Sequence, residues 1–152
     1  LVDQVKFMYA WIGSNYTKVE RTATWDYLQA FVDEARKQGL RIHAAINTFV
    51  GGNQIDGGTG LLYRDQSKAE WATQMNMQVG ITSVMNTSES TKFFNPAHPE
   101  VQTFLCDLLK DLAGYDLDGI FLDRGRFLNL QADFSEESRK QFEEYLDQMC
   151  SI

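Results

Sequence analysis

Apolar and polar residues recur along the chain with two different periods, which predict strands and helices in turn. Three short apolar runs, at residues 5–12, 41–47 and 119–123, are typical of strands. Between and after them, apolar residues recur every three or four positions, which is the spacing of an amphipathic helix. The pattern therefore predicts an α/β protein in which strands and helices alternate.

The helical pattern occurs in three segments, at residues 24–38, at residues 99–113 and from near Ser135 onward. Gly39 suits the left-handed conformation just past the first helix, and Pro99 suits the first position of the second. Each segment has an apolar face that we expect to be buried: Tyr27, Leu28, Phe31, Val32 and Ala35; then Val101, Phe104, Leu105, Leu108, Leu109 and Leu112; then Phe142, Tyr145, Leu146 and Met149.

The order of these elements predicts a parallel sheet, because strands that alternate with helices join through right-handed crossovers. Three parallel strands would leave both edges of the sheet unpaired. They would also leave uncovered one apolar face, which contains Ala45 and Phe121. We therefore expect further strands outside this chain. We also expect residues 1–152, expressed alone, to aggregate or self-associate.

About 50 residues separate the second predicted strand from the second predicted helix. The glycine-rich stretch GGNQIDGGTG at residues 51–60 lacks the Gly-Lys-Ser/Thr ending of a phosphate-binding loop, and a flexible surface loop is its simpler interpretation. An insertion of this length is also expected to carry a function or a structure of its own. Ser67 and Glu70 have the spacing of a capping box, which predicts a short helix through Trp71 and Met75.

Composition narrows the class of protein. The 152 residues are 43% hydrophobic with a formal net charge of -7, which is ordinary for one globular unit and disfavours a nucleic-acid partner. No apolar run reaches about 18 residues, so we expect no membrane span. His43, His98, Cys106 and Cys150 lack the spacing of metal ligands, so we expect no metal and no cofactor, and Cys106 is interpreted as a buried thiol.

Candidate chemistry lies at the strand ends, because ligands of parallel α/β sheets gather at the carboxyl ends of the strands. Asp123 ends the third strand and precedes Arg124 and Arg126, which would keep the carboxylate ionised, as a nucleophile needs. Asn47 ends the second strand and shares a face with Asp123 if the sheet belongs to a barrel. A structural Asp–Arg pair is the alternative interpretation of Asp123.

Other residues of these strands have structural interpretations. Asp118 lies at the start of the third strand, on the face of a barrel that serves stability. His43 lies too early in its strand to reach the mouth, which favours a buried, hydrogen-bonded histidine. Side-chain alternation predicts that Ile120 and Leu122 face covering helices.

Aromatic side chains crowd near the strand ends and in the insertion, and their flat faces suit sugar rings. Core packing is the simpler interpretation for any one of them. The residues are Trp11, Trp25, Phe49, Tyr63, Trp71, Phe93 and Phe94.

Three segments resemble one known family: YLQAFVDEARKQGLRIHAAINTF, FFNPAHPEVQTFLCDLLKDLAGYDLDGIFLDRGRF and ADFSEESRKQFEEYL. They are similar to the family 10 glycosyl-hydrolase-like proteins, bacterial exported (β/α)8 barrels that include many lipoproteins. The resemblance covers most of the chain from Asp26 onward. It implies that residues 1–152 form a partial TIM-barrel domain, about strands 2–4 with their helices, truncated at both ends. The remaining barrel strands would then belong to the rest of the protein.

The family is a relative of the α-amylase-like clan, in which a D-G-x-x-x-D motif ends in the nucleophilic aspartate of the fourth strand. The resemblance implies that Asp123 is the nucleophile or charge stabiliser of a glycoside hydrolase acting on a poly- or oligosaccharide. Asn47, Asn95 and Arg126 match family positions around the cleft, and Trp11 is expected as a further substrate-binding residue. The second carboxylate that such hydrolysis needs is expected from a later strand.

The chain departs from the family pattern at two positions. Phe121 stands where members commonly have His, and Thr48 stands where Pro often follows Asn. The arginine that amylase-like enzymes place two residues before the nucleophile is also absent. These departures motivate an alternative, a non-catalytic carbohydrate-binding barrel. A metal-dependent sugar deacetylase is a third interpretation, which the shortage of histidines disfavours.

The resemblance also implies a place in the cell. We expect a periplasmic, cell-surface or extracellular protein, with the export signal and any lipid anchor outside this chain. The expected partner is a carbohydrate substrate.

Overall fold

The computed structural model describes residues 26–54, 58 and 60–150. The first predicted strand, together with Trp11 and Trp25, lies outside these described residues. The chain divides into two compact units, with boundaries after Thr48, Thr103 and Gly125. The described elements are helices and small sheets, which confirms the predicted mixed α/β class.

The helices and strands of the described residues alternate irregularly along the chain. In order, they are α1 (Tyr27–Lys37), β1 (His43–Asn47), β2 (Val50–Asn53), α2 (Leu61–Arg64), a 3-10 helix (Gln66–Trp71), β3 (Gln74–Met77), β4 (Gly80–Ser83), a 3-10 turn (Val84–Asn86), β5 (Thr91–Phe93), α3 (Pro99–Leu112), β6 (Gly119–Asp123) and α4 (Glu136–Cys150).

The first unit is built on a parallel pair of strands, β1 and β6, whose Cα partners run from His43 and Gly119 to Asn47 and Asp123. The predicted second and third strands are thus confirmed, and they are parallel neighbours. Asp26 caps the start of helix α1, because its carboxylate accepts the N–H of Gln29 at 2.8 Å. The helix stops at the left-handed residue Gly39, which has a φ of 66°.

Burial along β1 alternates, as is usual for a strand, with Ala44 and Ile46 buried and the intervening side chains less so. His43 is exposed, so the prediction of a buried histidine is wrong. Its imidazole lies against Gly119, where a Cβ would come within 2.6 Å of Nδ1. Of the two β6 side chains predicted to face covering helices, Ile120 is half-buried, whereas Leu122 is 50% exposed, so the prediction is wrong for Leu122.

Helix α3 confirms its predicted apolar face, since Val101, Leu105, Leu108 and Leu112 are all buried. Cys106 is exposed, so its interpretation as a buried thiol is wrong. One residue of helix turns the side chain by about 100° from the buried Leu105, which places Cys106 on the polar side.

The long insertion belongs to the second unit and has a structure of its own. β2 pairs antiparallel with β5, and β3 pairs antiparallel with β4. The interpretation of the glycine-rich stretch as a flexible surface loop is wrong for its first part, because Gly51 and Gly52 lie buried in β2. A Cβ on Gly51 would meet the Leu62 side chain at 2.5 Å, so this close packing requires glycine.

The short helix predicted in the insertion is a 3-10 helix that ends at Trp71. Asp65 caps it, accepting the N–H of Ser67 at 3.0 Å, so the predicted capping box at Ser67 is wrong. Met75 lies in β3 and is fully buried.

The side chain of Lys92 is buried as well, and its ammonium donates to the carbonyl oxygens of Val84 and Thr87, each at 3.0 Å.

Helix α4 starts where the sequence predicts, but the predicted burial of its apolar face is wrong. Its four large apolar residues are all exposed, and α4 contains no buried residue: Phe142, Tyr145, Leu146 and Met149. The amphipathic pattern is present, but no described element covers it. No helix in the described part of the chain is both long and apolar enough to cross a bilayer.

Candidate functional site

The candidate site lies at the carboxyl ends of β1 and β6, where Asn47 and Asp123 are register partners. Both side chains are half-buried. The N–H of Thr48 donates to the backbone carbonyl of Asp123 at 2.7 Å, which extends the pairing one residue past β1. The two strand ends are thereby fixed to each other, and the Asn47 amide and the Asp123 carboxylate start from directly opposed backbone positions.

The turn that follows Asp123 has an uncommon backbone. Arg124 has a φ of 52°, in the left-handed region that a side chain with a Cβ seldom adopts. Gly125 follows it, and a Cβ at that position would lie 3.5 Å from the Leu122 carbonyl oxygen and 3.9 Å from Thr48 Oγ1. We name Arg124 and Gly125 the strand-end turn.

Thr48 was missed as a site residue by sequence reasoning. It is only 7% exposed, and its hydroxyl oxygen is buried with no hydrogen-bond partner among the described residues. Nearly all buried hydroxyl groups are hydrogen-bonded, so this one stands out. The one signal in the sequence is its place directly after the strand-end Asn47.

The opposite end of the same strand pair carries a strand-start ion cluster, formed by Arg36, Asp116 and Asp118. The Arg36 guanidinium donates to each of the two carboxylates at 2.8 Å. Asp118 also accepts the N–H of Ile42 at 2.7 Å, and this bond, followed by that from Arg36, lowers the pKa of its carboxyl group. These contacts join α1 to the starts of β1 and β6, which favours the structural interpretation of Asp118.

Asn95 lies in the second unit and is 1% exposed. Its side-chain amide donates to Ser135 Oγ at 2.9 Å, and its side-chain oxygen accepts the N–H of Ala97 at 2.9 Å. Ser135 in turn bonds the Asp133 carboxylate and accepts the N–H of Ser138, in the first turn of α4. The polar groups of Asn95 therefore brace the segment that leads into α3 and the start of α4.

Arg126, also in the second unit, folds back onto its own chain. Its guanidinium donates to the carbonyl oxygens of Phe127 at 2.9 Å and Leu128 at 2.7 Å. Trp11 lies outside the described residues. Of the predicted site residues, the structure thus brings together Asp123 and Asn47 within one unit.

Most of the aromatic candidates that the structure describes belong to the core. Trp71, Phe93 and Phe94 are at most 5% exposed, and the Trp71 indole N–H donates to the Glu100 carboxylate at 2.9 Å. Phe121, which alternation places on the Asp123 face of β6, is 63% exposed. Among the residues that the structure describes, no three His, Cys, Asp or Glu side chains lie close enough together to hold a metal ion.

Comparison with known proteins gives two matches. A family model described as glycosyl hydrolase-like 10 matches residues 5–150. An S-layer-related protein of Niallia circulans is 33% identical over 127 residues, which make up 80% of this chain and 8% of that protein. The chain thus spans a small part of the length of this relative. No solved structure matches the chain.

Proposed function

The chain belongs to the glycosyl hydrolase-like 10 family, and we propose that the full-length protein hydrolyses O-glycosidic bonds of a poly- or oligosaccharide. The observation that carries this proposal is the placement of Asp123 at the carboxyl end of a parallel strand, in register with Asn47. Ligand sites of parallel α/β proteins form at this end of the strands.

The fold proposed with this activity is a (β/α)8 barrel, to which the chain contributes about strands 2–4 and their helices. Strands that follow each other in such a barrel are parallel neighbours, as β1 and β6 are. The sequence between them holds α3 and the antiparallel strands of the insertion. The remaining strands of the full-length protein would close the sheet.

In the proposed reaction Asp123 acts as nucleophile or charge stabiliser. An ionised carboxylate beside the anomeric carbon either attacks it, forming a glycosyl-enzyme that water then hydrolyses, or stabilises the oxocarbenium-like charge. Protonation of the leaving oxygen needs a second carboxylic acid, which we assign to a strand beyond the described residues. A separation of about 5–5.5 Å between the two carboxyl groups would favour retention of configuration, and about 6.5–9.5 Å would favour inversion.

The substrate-binding residues proposed with Asp123 are Asn47, Asn95, Arg126 and Trp11. Asn47 is supported most directly, because its amide starts opposite Asp123 and can donate to a sugar hydroxyl while accepting from another. The polar groups of Asn95 bond Ser135 and Ala97, and the guanidinium of Arg126 bonds the two carbonyl groups that follow it, so these two residues would act on substrate by holding their segments in place.

A cell-surface or periplasmic location is proposed on the name of the Niallia circulans relative, which is S-layer-related. The polymeric carbohydrates of the bacterial surface would then be accessible substrates.

The experiment that tests this function is glycan hydrolysis by the full-length protein and its Asp123→Asn variant. Carbohydrate binding without hydrolysis is the second candidate. The 63% exposure of Phe121 on the Asp123 face favours it, because an exposed ring can stack on a sugar without any chemistry. A glycan that binds wild type and variant alike, with no turnover by either, would select this second function.

A further inference from the structure

The buried hydroxyl of Thr48 is the feature of the strand-end site that the proposed reaction leaves unexplained. The residue is 7% exposed, and its Oγ1 has no hydrogen-bond partner among the described residues. A hydroxyl gives up its bonds to water when it is buried, so leaving it unpaired lowers the stability of the protein. A valine would fill nearly the same volume without that loss.

The backbone of Thr48 connects this residue to the candidate site. Thr48 directly follows Asn47, and its N–H is bonded to the carbonyl of Asp123 at 2.7 Å. Its Oγ1 lies near the strand-end turn, since a Cβ on Gly125 would lie 3.9 Å from that oxygen. The hydroxyl is therefore close to the segment that leaves Asp123.

The strand-end turn is itself under strain. Arg124 has a φ of 52°, a conformation that disfavours residues with a Cβ, and Gly125 adds no side chain that would fix the turn in place. The strained residue and the unpaired hydroxyl each lower the stability of the protein, and they are close together.

We propose that Thr48 is a ligand-contacting residue of this site: the strand-end turn shifts when carbohydrate binds, and the Thr48 hydroxyl then pairs with a hydroxyl group of the sugar. The inference rests on the proposed function, because it takes a carbohydrate as the ligand. Each sugar hydroxyl can both donate and accept, as the Thr48 hydroxyl can, so the pair satisfies both groups.

The test uses the full-length protein and three variants at the site. Thr48→Val removes the hydroxyl and keeps the shape, Thr48→Ser keeps the hydroxyl, and Gly125→Ala adds a methyl group beside it. The methyl group that Gly125→Ala adds would lie 3.5 Å or more from its neighbours, which is ordinary contact. The backbone of Gly125 is not left-handed, so the fold tolerates this substitution. The control is Thr73→Val, because Thr73 is also buried but its hydroxyl donates to the Phe94 carbonyl at 3.3 Å.

Two quantities are measured for each protein: the urea midpoint of unfolding and the dissociation constant for immobilised maltoheptaose, chitohexaose and bacterial cell-wall polysaccharide. We expect Thr48→Val to unfold at an equal or higher urea concentration than wild type, yet to bind its glycan about fivefold more weakly or worse. Thr48→Ser should bind within about twofold of wild type, and Gly125→Ala should bind more weakly. Thr73→Val should show the reverse, with a lower midpoint and unchanged affinity.

Equal affinity of wild type and Thr48→Val for a bound glycan would overturn this inference and leave the proposed function standing. A lower urea midpoint for Thr48→Val would also overturn it, because the hydroxyl would then have a partner in the free protein. Wild-type protein that binds none of the three probes would overturn the proposed function, and this inference with it.

Discussion

Arg36 donates a hydrogen bond to the Asp118 carboxylate over 2.8 Å, at the end of the β1–β6 pair opposite to Asp123. Since Asp118 also accepts the N–H of Ile42, one carboxylate joins α1 to the starts of both strands. The strand pair is thus fixed at one end by charge, which leaves the other end for the candidate site.

Asp118→Asn should loosen this strand-start ion cluster. The pKa of Asp118 is lowered from its ordinary value of 3.8, chiefly by the bond from Ile42 and next by Arg36. A carboxyl group whose pKa is lower in the folded state stabilises the fold above pH 3.8, and this contribution is lost as the pH falls through the lowered pKa. Hydrogen exchange of the peptide around Ile42 should therefore be faster in the variant at pH 7. The two proteins should converge once the pH lies below the lowered pKa, where the Asp118 carboxyl group is protonated in the folded state as well. Equal exchange rates at pH 7 would contradict the role given to Asp118.

Gly60→Ala should destabilise the second unit more than Gly80→Ala does. Both glycines have positive φ, 98° and 112°, so both substitutions strain the backbone by about 1–3 kcal/mol. A Cβ at Gly60 would also lie 2.6 Å from the Gly51 carbonyl oxygen, whereas a Cβ at Gly80 meets nothing within 4 Å. In urea unfolding, Gly60→Ala should lower the free energy of unfolding by about 1–3 kcal/mol more than the control Gly80→Ala does. Equal losses would show that the packing of Gly60 onto β2 is unimportant.

Residues 1–152 expressed alone should self-associate at micromolar concentration. Phe121 and the apolar face of α4 are exposed, and contiguous apolar surface of this kind favours association. Sedimentation velocity should detect oligomers or aggregates, and Phe142→Lys with Met149→Lys should reduce them. The control pair Glu144→Lys and Asp147→Lys changes charge by a larger amount on the same helix without removing apolar surface. A monomer at every concentration would contradict this expectation.

The parts of the fold that the sequence predicts are those with a strong period. β1, β6, α1 and α3 each repeat apolar residues at the spacing of their own structure, and the common register of Asn47 and Asp123 follows from two strands that end together. The strands of the insertion are three or four residues long, with sequences such as VGGN and TKF, and such short runs carry no readable alternation.

Other features depend on tertiary contacts that no local pattern encodes. The spacing of Phe142 and Met149 shows which side of α4 is apolar, but it does not show whether another element covers that side. The unpaired hydroxyl of Thr48 is likewise invisible in the sequence, because its partners depend on what the strand-end turn places around it. The left-handed Arg124 is a further case, since this conformation is expected of glycine rather than arginine.

The central claim is that Asp123 is required for hydrolysis of the glycosidic bond. The most direct measurement is the turnover of a glycan that the wild type cleaves, compared among full-length wild type, Asp123→Asn and Asp107→Asn. Asp107 is the matched control, because it is an exposed aspartate on α3 that pairs only with its helical neighbour Lys110 among the ion pairs described. The account predicts that Asp123→Asn lowers kcat by about 10³-fold or more with the fold intact, while Asp107→Asn stays within about twofold of wild type. Turnover by Asp123→Asn equal to that of wild type would remove Asp123 from the mechanism and contradict the account.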